Sequence, residues 1–546
     1  MNIIGVGGSG HDWSTCLIKD NSKVIAIDEE RVIGSKYGIG ADLLQAESRK
    51  YCMDAENLNI NQIDHLIACD ITPKSFYFPF KNNTTIIGHH LAHAYSSYCL
   101  SPFEESAIFI ADNSGGIVED NKVETISYYY GDLKGIHLIK KVFGNHSIEK
   151  NQNNYYKSAG RTDNSLGDFY RTVSIELGFS YDPKHGEVIS EDGKTMGLSS
   201  YGKSVYYERF CDFIKLLPNG EISIIADNRL SDYIRTLLSN SNDLFQTKAN
   251  IAYAAQKVLE DSVIHCCKYL HKITNSRNLC IAGGIGLNSV SNSRIIEETP
   301  FEYLFVQPAS GDNGISLGCA IYGYHNIAGF AFEKNKRLKL NLPYLGKEYS
   351  EEEIYNTLSN YNNISWNKWN DYREVANLIK EGHIIGWFQG KSEFGPRSLG
   401  NRSILADPRV AEIKDKVNLK VKHRESFRPF APAILEEYKS EYFFLDHSSP
   451  YMLEVYQVKK TNKIPAVTHV DNTARIQTVS LSKNKKFYKL INAFYELTDI
   501  PVLLNTSFNI AGKPIVETPD NALECFMNTE IDFLVIGNYI VSKRFD

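Results

Sequence analysis

The sequence predicts an α/β protein with two lobes, the first of which contains a duplicated unit. Two stretches share one pattern, a buried strand, a polar or Gly-rich turn and further strand material, at residues 1–37 and again at residues 106–130. A helix, a strand and a Gly turn follow one another over residues 251–284, which is typical of nucleotide-binding α/β units. The polar segment 341–351 contains Pro and Gly and is the best linker, so the predicted cut lies near residue 345.

The first lobe opens with short apolar runs at residues 3–6, 15–18 and 23–27, separated by turn residues. This pattern predicts a β-meander. The second unit has a buried strand at residues 106–112, and new strand material begins at Glu124. Both units are therefore expected to have the same core.

The later elements follow from periodicity. Apolar residues at three- and four-residue spacing predict a helix over 251–270, and residues 279–284 predict a strand that runs into glycines. Residues 315–324 predict a helix whose N-terminus faces the turn at 311–314. In the second lobe we expect a helix at 372–380, a strand at 384–388 and a buried strand that ends near Ser507.

Composition limits the function. The chain has 546 residues, 42% hydrophobic and 23% charged, with 59 basic and 65 acidic residues and a net charge of -6. A surface built to neutralise nucleic-acid phosphates is disfavoured, although a local basic groove remains an alternative.

The ten cysteines include no closely spaced metal-binding pair, so we expect reduced thiols. No apolar run approaches the roughly 18 residues that span a bilayer, and Met1 leads directly into a strand, so we expect a cytoplasmic protein without a membrane partner. The oligomeric state is not predicted.

His89 and His93 are four residues apart, which on a helix places both imidazoles on one face. Asp112 and Asp312 each follow a predicted strand, where open α/β sheets place ligands. Two imidazoles and two carboxylates suit Fe(II), Mn(II) or Zn(II). The pair alone is weak evidence, since such histidines are more often solvated or cap a helix. His90 has the wrong phase and is expected to support the site from outside.

Gly turns at two places allow a backbone to approach a nucleotide. These are Gly283 and Gly284 with the nearby Asn288, and the turn that begins at Gly311. Tight strand-to-helix turns without a ligand explain them equally well. His11 follows a Gly-rich turn and could deprotonate a hydroxyl, since its ordinary pKa is near 6.5. A solvent-facing turn histidine is as good an interpretation.

The second half concentrates positive charge in a net acidic chain. The cations are Arg397, Arg402, Arg409, Lys420, Lys422, Arg424 and Arg428. Arg binds phosphate or carboxylate with a planar fork, and Lys supplies a point charge. The alternative, a solvated basic face, does not account for the Pro and Phe residues among these cations. The pattern therefore predicts an anion site.

These motifs, in this order, resemble the O-carbamoyltransferases of the NodU/CmcH type, the group that includes the tobramycin carbamoyltransferase. The resemblance rests on motifs at residues 89–93, Asp112, 192–198, 283–288, 307–312, 395–409, 427–432 and 505–509. The resemblance covers essentially the whole chain. It implies an ASKHA-like lobe of the actin/Hsp70 type over residues 1–345, and a YrdC-like α/β lobe over 346–546.

The resemblance also implies two half-reactions. In the YrdC-like lobe, carbamoyl phosphate and ATP would give carbamoyl adenylate, with phosphate and pyrophosphate released. The residues implied there are Arg397, Lys422, Arg428, Arg475, Asn505 and Ser507. In the ASKHA-like lobe, a metal on His89, His93, Asp112 and Asp312 would orient the adenylate, with Lys194, Gly283, Gly284, Asn288 and Gly311 at the nucleotide. A hydroxyl activated by His11 would then take the carbamoyl group and AMP would leave. Fe(II) or another divalent transition metal is the expected cofactor, and Mg(II) could accompany ATP.

The acceptor is left open. A small-molecule hydroxyl on a sugar or natural product is favoured, and a hydroxymethylated pyrimidine, in a nucleotide or in DNA, is the alternative. We expect the segment from Tyr155 and Tyr156 to Arg161 to line the acceptor entry. Two rival functions are an ATPase switch of the actin and Hsp70 class and a hydrogenase-maturation carbamoyltransferase. The first leaves the basic cluster unexplained, and the second carries modules that this sequence lacks.

Overall fold

The structure is a computed structural model that describes residues 1–9, 11–42, 44–80, 83–118, 121–147, 161–181 and 188–544. Internal contacts divide the chain into two units. The first unit comprises Met1–Val24 and Asp42–Lys339, and the second comprises Ile25–Ala41 and Leu340–Asp546. The functional domains predicted on either side of residue 345 stay a prediction.

Strands before residue 340 are β1 (Ile3–Gly7), β2 (Ser14–Lys19), β3 (Lys23–Asp28), β4 (His65–Cys69), β5 (Thr84–Ile87), β6 (Ser106–Ala111), β7 (Lys122–Asp132), β8 (Gly135–Ser147), β9 (Arg161–Thr162), β10 (Ser180–Tyr181), β11 (Ile189–Ser190), β12 (Lys215–Leu216), β13 (Ile222–Ser223), β14 (Asn278–Ala282) and β15 (Tyr303–Val306). The helices there are α1 (Glu29–Ile33), α2 (Glu47–Ala55), α3 (Lys74–Tyr77), α4 (His89–Tyr98), α5 (Leu166–Glu176), α6 (Asp192–Ser199), α7 (Tyr207–Cys211), α8 (Arg229–Ser239), α9 (Leu244–Thr274), α10 (Ser289–Glu298) and α11 (Ile315–Tyr322).

From residue 340 the strands are β16 (Ile364–Lys368), β17 (Ile385–Phe388), β18 (Arg402–Ala406), β19 (Ala431–Leu435), β20 (Val455–Gln457), β21 (Thr473–Arg475), β22 (Gln477–Val479), β23 (Val502–Ser507), β24 (Phe533–Ile536) and β25 (Tyr539–Lys543). The helices are α12 (Glu351–Ser359), α13 (Tyr372–Lys380), α14 (Ile413–Lys416), α15 (Lys439–Tyr442), α16 (Lys485–Thr498) and α17 (Pro519–Met527).

Two sheets that contain strands of the first unit have matching strand orders. One runs β3-β2-β1-β4-β5, and the other contains β8-β7-β6-β14-β15 with β9 beside β8. In the first sheet β1 pairs antiparallel with β2 and parallel with β4, and β4 pairs parallel with β5. In the second sheet β6 pairs antiparallel with β7 and parallel with β14, and β14 pairs parallel with β15. Two copies of one topology make up the core, so the predicted duplication is confirmed. The α/β class is confirmed with it, and the doubled topology is consistent with an ASKHA-like lobe.

Helices α4 and α11 pack closely against each other in this unit. A Cβ on Gly318 of α11 would lie 1.9 Å from the Ala92 carbonyl oxygen of α4, so only glycine allows this approach. Ala92, Ala94 and Tyr95 of α4 are buried. The helix that carries the predicted metal ligands is therefore a fixed part of the core.

Helix α9 is longer than the predicted 251–270, because both of its ends are capped. The Asp243 side chain accepts from the Gln246 N–H, and Asn275 ends the helix in the left-handed region at φ 52°. The predicted helix at 372–380 and the strand that precedes the glycines at 283–284 are confirmed by α13 and β14.

The second unit is built on a mixed sheet with the order β16-β25-β24-β17-β18-β23-β19-β22. Its core is one cluster of buried side chains that includes Trp387, Phe388, Phe494 and Phe526. Strands β17, β18 and β23 are neighbours at its centre. Arg402, Asn505 and Ser507 lie on these central strands, and Arg397 lies on the loop between β17 and β18.

All ten cysteines are free, as expected for reduced thiols. Within the described residues, no helix combines the length and the apolar character needed to cross a membrane. The cytoplasmic location stays a prediction.

Candidate active sites

The first candidate site begins at the N-terminus of α4. His89 and His93 are fully buried, and their ring centroids lie 4.8 Å apart at a steep interplanar angle. One helical turn separates the two residues, so both rings project from the same face. His90 points elsewhere, with Nδ1 2.7 Å from the Ser127 hydroxyl oxygen.

Two carboxylates converge on these rings. Asp112 directly follows β6, and Asp312 lies in the turn after β15. Asp112 Oδ2 lies 3.3 Å from His93 Nε2 and 3.6 Å from His89 Nε2, and Asp312 Oδ1 lies 3.6 Å from His89 Nε2. The four ligand atoms all lie within 4.8 Å of one another. Strands β6, β14 and β15 are parallel, so their carboxyl ends bring both aspartates to one edge of the sheet.

This donor set fits a divalent transition metal. Both ring nitrogens of His89 and His93, and Asp112 Oδ2, are buried without a hydrogen-bond partner among the described residues. Buried polar atoms are almost always paired, so five unsatisfied atoms in one place indicate a missing ligand. Imidazole and carboxylate together suit Fe, Mn and Zn ions.

The electrostatics of the cluster favour a cation. Burial lowers the pKa of His89, but the Asp112 and Asp312 carboxylates outweigh it and raise that pKa well above its ordinary value. Burial raises the pKa of Asp112, and the neighbouring His89 and His93 imidazoles reverse this, holding it well below the ordinary range. The site is therefore an ionised carboxylate beside imidazoles that attract positive charge.

Two further carboxylates support α4, and the sequence analysis did not identify them. Asp70 Oδ1 accepts the His89 backbone N–H at 3.0 Å, and Glu124 Oε2 accepts the His90 N–H at 3.4 Å. Gly88 at the N-cap offers no side chain for this purpose. A signal was present, because Asp70 follows β4 as Asp112 follows β6.

The predicted Gly turns lie beside this cluster. Gly283 has φ 91°, and a Cβ there would lie 2.3 Å from the Ala111 carbonyl oxygen, so glycine is required. A Cβ on Gly284 would lie 3.1 Å from Asp112 Oδ1. Gly311 immediately precedes Asp312. The backbone at these turns thus approaches the cluster of His89, His93, Asp112 and Asp312 closely.

Asn288 and Lys194 make other contacts. The Asn288 side-chain Oδ1 accepts from the Ser291 N–H at the start of α10, and its Nδ2 donates to Gln256 Oε1. Lys194 Nζ lies 2.6 Å from Glu191 Oε2. Both side chains are committed to protein partners in this structure.

His11 lies in the loop between β1 and β2. Its Nδ1 is 2.8 Å from Asp12 Oδ2, and the side chain is 32% exposed. Burial raises the pKa of Asp192, and the charges of Arg171 and His11 oppose this, which places His11 within electrostatic reach of Asp192. Asp192 was not predicted as a site residue. Tyr155 and Tyr156 lie outside the described residues, whereas Arg161 donates to Asp168 at 2.8 Å.

The second candidate site is the predicted cation cluster. Burial and neighbouring cations lower the pKa of Arg397 to about 10 and that of Arg424 to about 9. They also hold the pKa values of Arg475 and Lys422 well below their ordinary values, and Arg428 contributes to the lowering at all four. Arg397 Nε and Arg475 Nε are buried without a hydrogen-bond partner among the described residues. Cations crowded together in this way indicate a site for an anion.

Lys422 has a second role in the same place. Its Nζ donates to the carbonyl oxygen of Ser507 at 2.7 Å and to that of Asn509 at 2.9 Å, and it also contacts both side-chain oxygens. An ammonium has three N–H donors, so these acceptors use them all. Lys422 therefore holds the turn after β23. Asn505, on β23, donates to Gln477 Oε1, and its buried Oδ1 has no partner in the described part of the chain.

Other basic residues of the predicted cluster are structural. Arg402 is buried over the Phe388 ring and donates to the Gln389 carbonyl oxygen. Arg409 pairs with the adjacent Asp407. Lys420 pairs with Glu530 at the surface. Charge density in the sequence located the site but did not separate these residues from the binding cations.

Two family models match stretches of this chain. Residues 74–321 match the family model described as carbamoyltransferase N-terminus, and residues 376–543 match the one described as carbamoyltransferase C-terminus. The chain belongs to the carbamoyltransferase family. It is therefore a carbamoyltransferase enzyme, and the resemblance found from the motifs is confirmed.

Relatives match over most of their length. An uncharacterized protein of Synechocystis sp. is 30% identical, over 99% of this chain and 97% of that protein. The nodulation protein NolO of Bradyrhizobium diazoefficiens is 35% identical, over 84% of this chain and 79% of that protein. Among solved structures, full-length HypF in its phosphate- and nucleotide-bound form is similar with a TM-score of 0.42 and 16% identity, over 60% of this chain and 56% of that one.

Proposed function

We propose that this enzyme is an ATP-dependent O-carbamoyltransferase with one half-reaction at each candidate site. Carbamoyl phosphate loses its phosphate to water, the carbamate oxygen attacks the α-phosphate of ATP, and pyrophosphate leaves. The product, carbamoyl adenylate, then gives its carbamoyl group to an acceptor hydroxyl and releases AMP. The observation that carries this proposal is the presence of two sites of opposite charge, one suited to a cation and one to polyanions.

The second unit, which the motif resemblance likens to YrdC proteins, suits the first half-reaction. Its substrates and the leaving pyrophosphate are all anions. Arg397, Arg428 and Arg475 offer guanidinium groups for them, and Lys422 fixes the turn that carries Ser507. Anion binding offsets the repulsion among these cations, so the site binds phosphates more strongly than isolated arginines do. Activation as a mixed anhydride gives carbamate a leaving group of low basicity.

The first unit suits the transfer step. His89, His93, Asp112 and Asp312 would hold Fe(II) or another divalent transition metal, which supplies Lewis-acid polarisation of a substrate oxygen. Gly283, Gly284 and Gly311 leave room for the nucleotide against the backbone. Asn288 follows Gly284 by four positions, and Lys194 is the further nucleotide-binding residue that the motif resemblance implies. His11 takes the proton of the acceptor hydroxyl as the oxygen attacks the carbamoyl carbon, and Asp192 favours the charged imidazole that results.

A small-molecule hydroxyl is the favoured acceptor. The net charge of -6 disfavours a large polyanionic acceptor such as DNA, so a hydroxymethylated pyrimidine is kept as the second candidate. A non-transferase ATPase switch has no use for the buried cations of the second unit.

The test is release of pyrophosphate in the absence of any acceptor. Purified protein receives ATP with Mg(II), carbamoyl phosphate and Fe(II), and wild type is compared with Arg397→Ala and His93→Ala. We expect carbamoyl-phosphate-dependent pyrophosphate from wild type and from His93→Ala, and only residual release, about 10²- to 10³-fold slower, from Arg397→Ala. Formation of ADP and phosphate alone, whether or not carbamoyl phosphate is present, would contradict the proposal.

A further inference from the structure

Residues 25–41 contribute a buried ion pair to the second unit. Asp28 precedes α1 and Arg31 lies within it, and their side chains are only 4% and 1% exposed. Arg31 Nε lies 3.3 Å from Asp28 Oδ2. Neither residue has a part in the proposed chemistry. A buried ion pair is costly to desolvate and contributes little net stability, so its presence calls for another explanation.

Both members of this pair hold the same residue, Gly395. Arg31 Nη2 donates to the Gly395 carbonyl oxygen at 2.5 Å, and the Gly395 N–H donates to Asp28 Oδ2 at 3.4 Å. Gly395 has φ 115°, a conformation that L side chains rarely adopt. The contacts are made across 364 and 367 positions of the sequence. The turn two residues before Arg397 is thus fixed on both of its polar groups.

The far end of the same loop is fixed by separate groups. Glu393 Oε1 accepts the N–H groups of Leu399 at 2.7 Å and Asn401 at 2.8 Å. The Tyr344 hydroxyl donates to the Leu399 carbonyl oxygen at 2.7 Å. Arg397 projects from between these two anchors, and its buried Nε has no hydrogen-bond partner among the described residues. Its direction is therefore set by the backbone of the loop rather than by partners of its own.

We propose that Asp28 and Arg31 are positioning residues for the adenylate-forming site, which hold the turn at Gly395 so that the Arg397 guanidinium meets the anionic substrate. This inference rests on the proposed function of the second unit. It makes a short segment near the start of the chain part of a site whose other residues all follow residue 390.

The test uses full-length protein and the pyrophosphate assay without acceptor. Arg31→Met removes the charge and the donor, Arg31→Lys keeps the charge, and Asp28→Asn keeps the shape. We expect kcat to fall about 10²-fold in Arg31→Met, because a displacement of about 1 Å at a reacting group costs about that much. KM for ATP should change much less, since Arg424, Arg428 and Arg475 remain. Arg31→Lys should recover part of kcat.

A double-mutant cycle separates positioning from general destabilisation. If Arg31 acts through Arg397, adding Arg31→Met to Arg397→Ala lowers activity no further. The matched control is Arg337→Met in the first unit, another buried arginine that donates to the backbone carbonyl oxygens of Phe332, Tyr98 and Phe103. That change should lower the melting temperature and leave kcat for pyrophosphate release near wild type.

The outcomes are distinct. If wild type releases no pyrophosphate in response to carbamoyl phosphate, the proposed function is wrong. If wild type does so and folded Arg31→Met keeps its kcat, or if the losses of Arg31→Met and Arg397→Ala multiply, the positioning role is wrong. Should Arg31→Met fail to fold, Arg31→Lys and the isosteric Asp28→Asn decide by the same kcat and cycle criteria.

Discussion

The two candidate sites are electrostatic opposites built by the same means. In the first, buried carboxylates and imidazoles converge with no cation of their own, at Asp112, Asp312, His89 and His93. In the second, half-buried guanidiniums crowd together at Arg397, Arg424 and Arg475. Each group pays a desolvation cost that only a ligand of opposite charge removes.

This difference in charge explains how one chain could separate the two proposed half-reactions. A cation-seeking site and a polyanion-seeking site cannot share one set of side chains, since each would neutralise the other. Perturbed pKa values of both signs in one protein thus indicate two binding events rather than one. We therefore expect the first site to respond only to a metal cation and the second only to a phosphate-containing anion.

The largest effect is expected at Arg475. Arg475→Ala should lower kcat for pyrophosphate release about 10²- to 10³-fold, as removal of one preorganised group that stabilises developing negative charge typically does. Arg475→Lys is the matched control and should keep part of the activity, because the charge remains while the planar fork is lost. Metal content measured on the same samples should not change. A parallel loss of metal would show that the two sites are not independent.

The next effect concerns Asp70, which accepts the His89 backbone N–H and is not one of the proposed metal ligands. Asp70→Asn should weaken Fe(II) or Zn(II) binding about 10- to 100-fold, the usual cost of losing a group that orients ligands. Direct titration of the purified apoprotein followed by metal analysis measures this. Asp112→Asn, which alters a proposed ligand, should weaken binding further. Equal metal affinity in wild type and Asp70→Asn would contradict the role given to the Asp70 contact with His89.

Local sequence patterns predicted many of the secondary-structure elements and several residues of the first candidate site. Apolar runs separated by Gly turns predicted the strands of both repeats, and a position just after a predicted strand identified Asp112 and Asp312 as ligands. Each of these signals lies within a few residues of the feature it predicts. The grouping of residues 25–41 with the second unit had no such signal. Asp28 and Arg31 meet Gly395 across more than 360 positions, and no periodicity records a contact at that separation.

Charge density likewise predicted a region rather than roles. Arg397 and Arg402 are five residues apart, and both have buried guanidinium nitrogens without a partner among the described residues. Burial and Arg428 lower the pKa of Arg397, whereas Arg402 lies over Phe388 and donates to carbonyl oxygens. The direction of a side chain depends on the turn that precedes it, and that turn is fixed by distant partners. Long-range contacts therefore determine which arginines face the anion site, and composition alone does not.

A moderate effect is expected on stability. Pyrophosphate should raise the melting temperature, by an amount equivalent to about 2.7 kcal/mol at a hundred times its Kd, because it binds only the folded cation cluster. Sodium chloride at equal ionic strength is the control and should do less. The shift should be small in Arg475→Ala. A shift of the same size in that variant would place the anion elsewhere.

The same cluster predicts a pH dependence. The pKa of Lys422 is lowered well below its ordinary value by burial and by Arg424 and Arg428. Between that lowered value and about 10.4, the unfolded chain binds more protons than the folded one, so the contribution of Lys422 to stability rises with pH. Chemical denaturation from about pH 8 to about pH 9.5 should show a smaller slope in Lys422→Met than in wild type. An unchanged slope would contradict the depressed pKa.

The smallest effect is expected at Lys420, two residues from Lys422. Its partner Glu530 lies 3.0 Å away, and the two side chains are 53% and 59% exposed, so the pair is screened by water and salt. Lys420→Ala should change the free energy of unfolding by less than about 1 kcal/mol and leave pyrophosphate release unchanged. Urea denaturation and the acceptor-free assay measure both quantities. Because Lys420 shares its sequence neighbourhood with Lys422 but not its burial, a loss of activity here would mean that local charge, rather than the geometry of the buried cluster, makes the anion site.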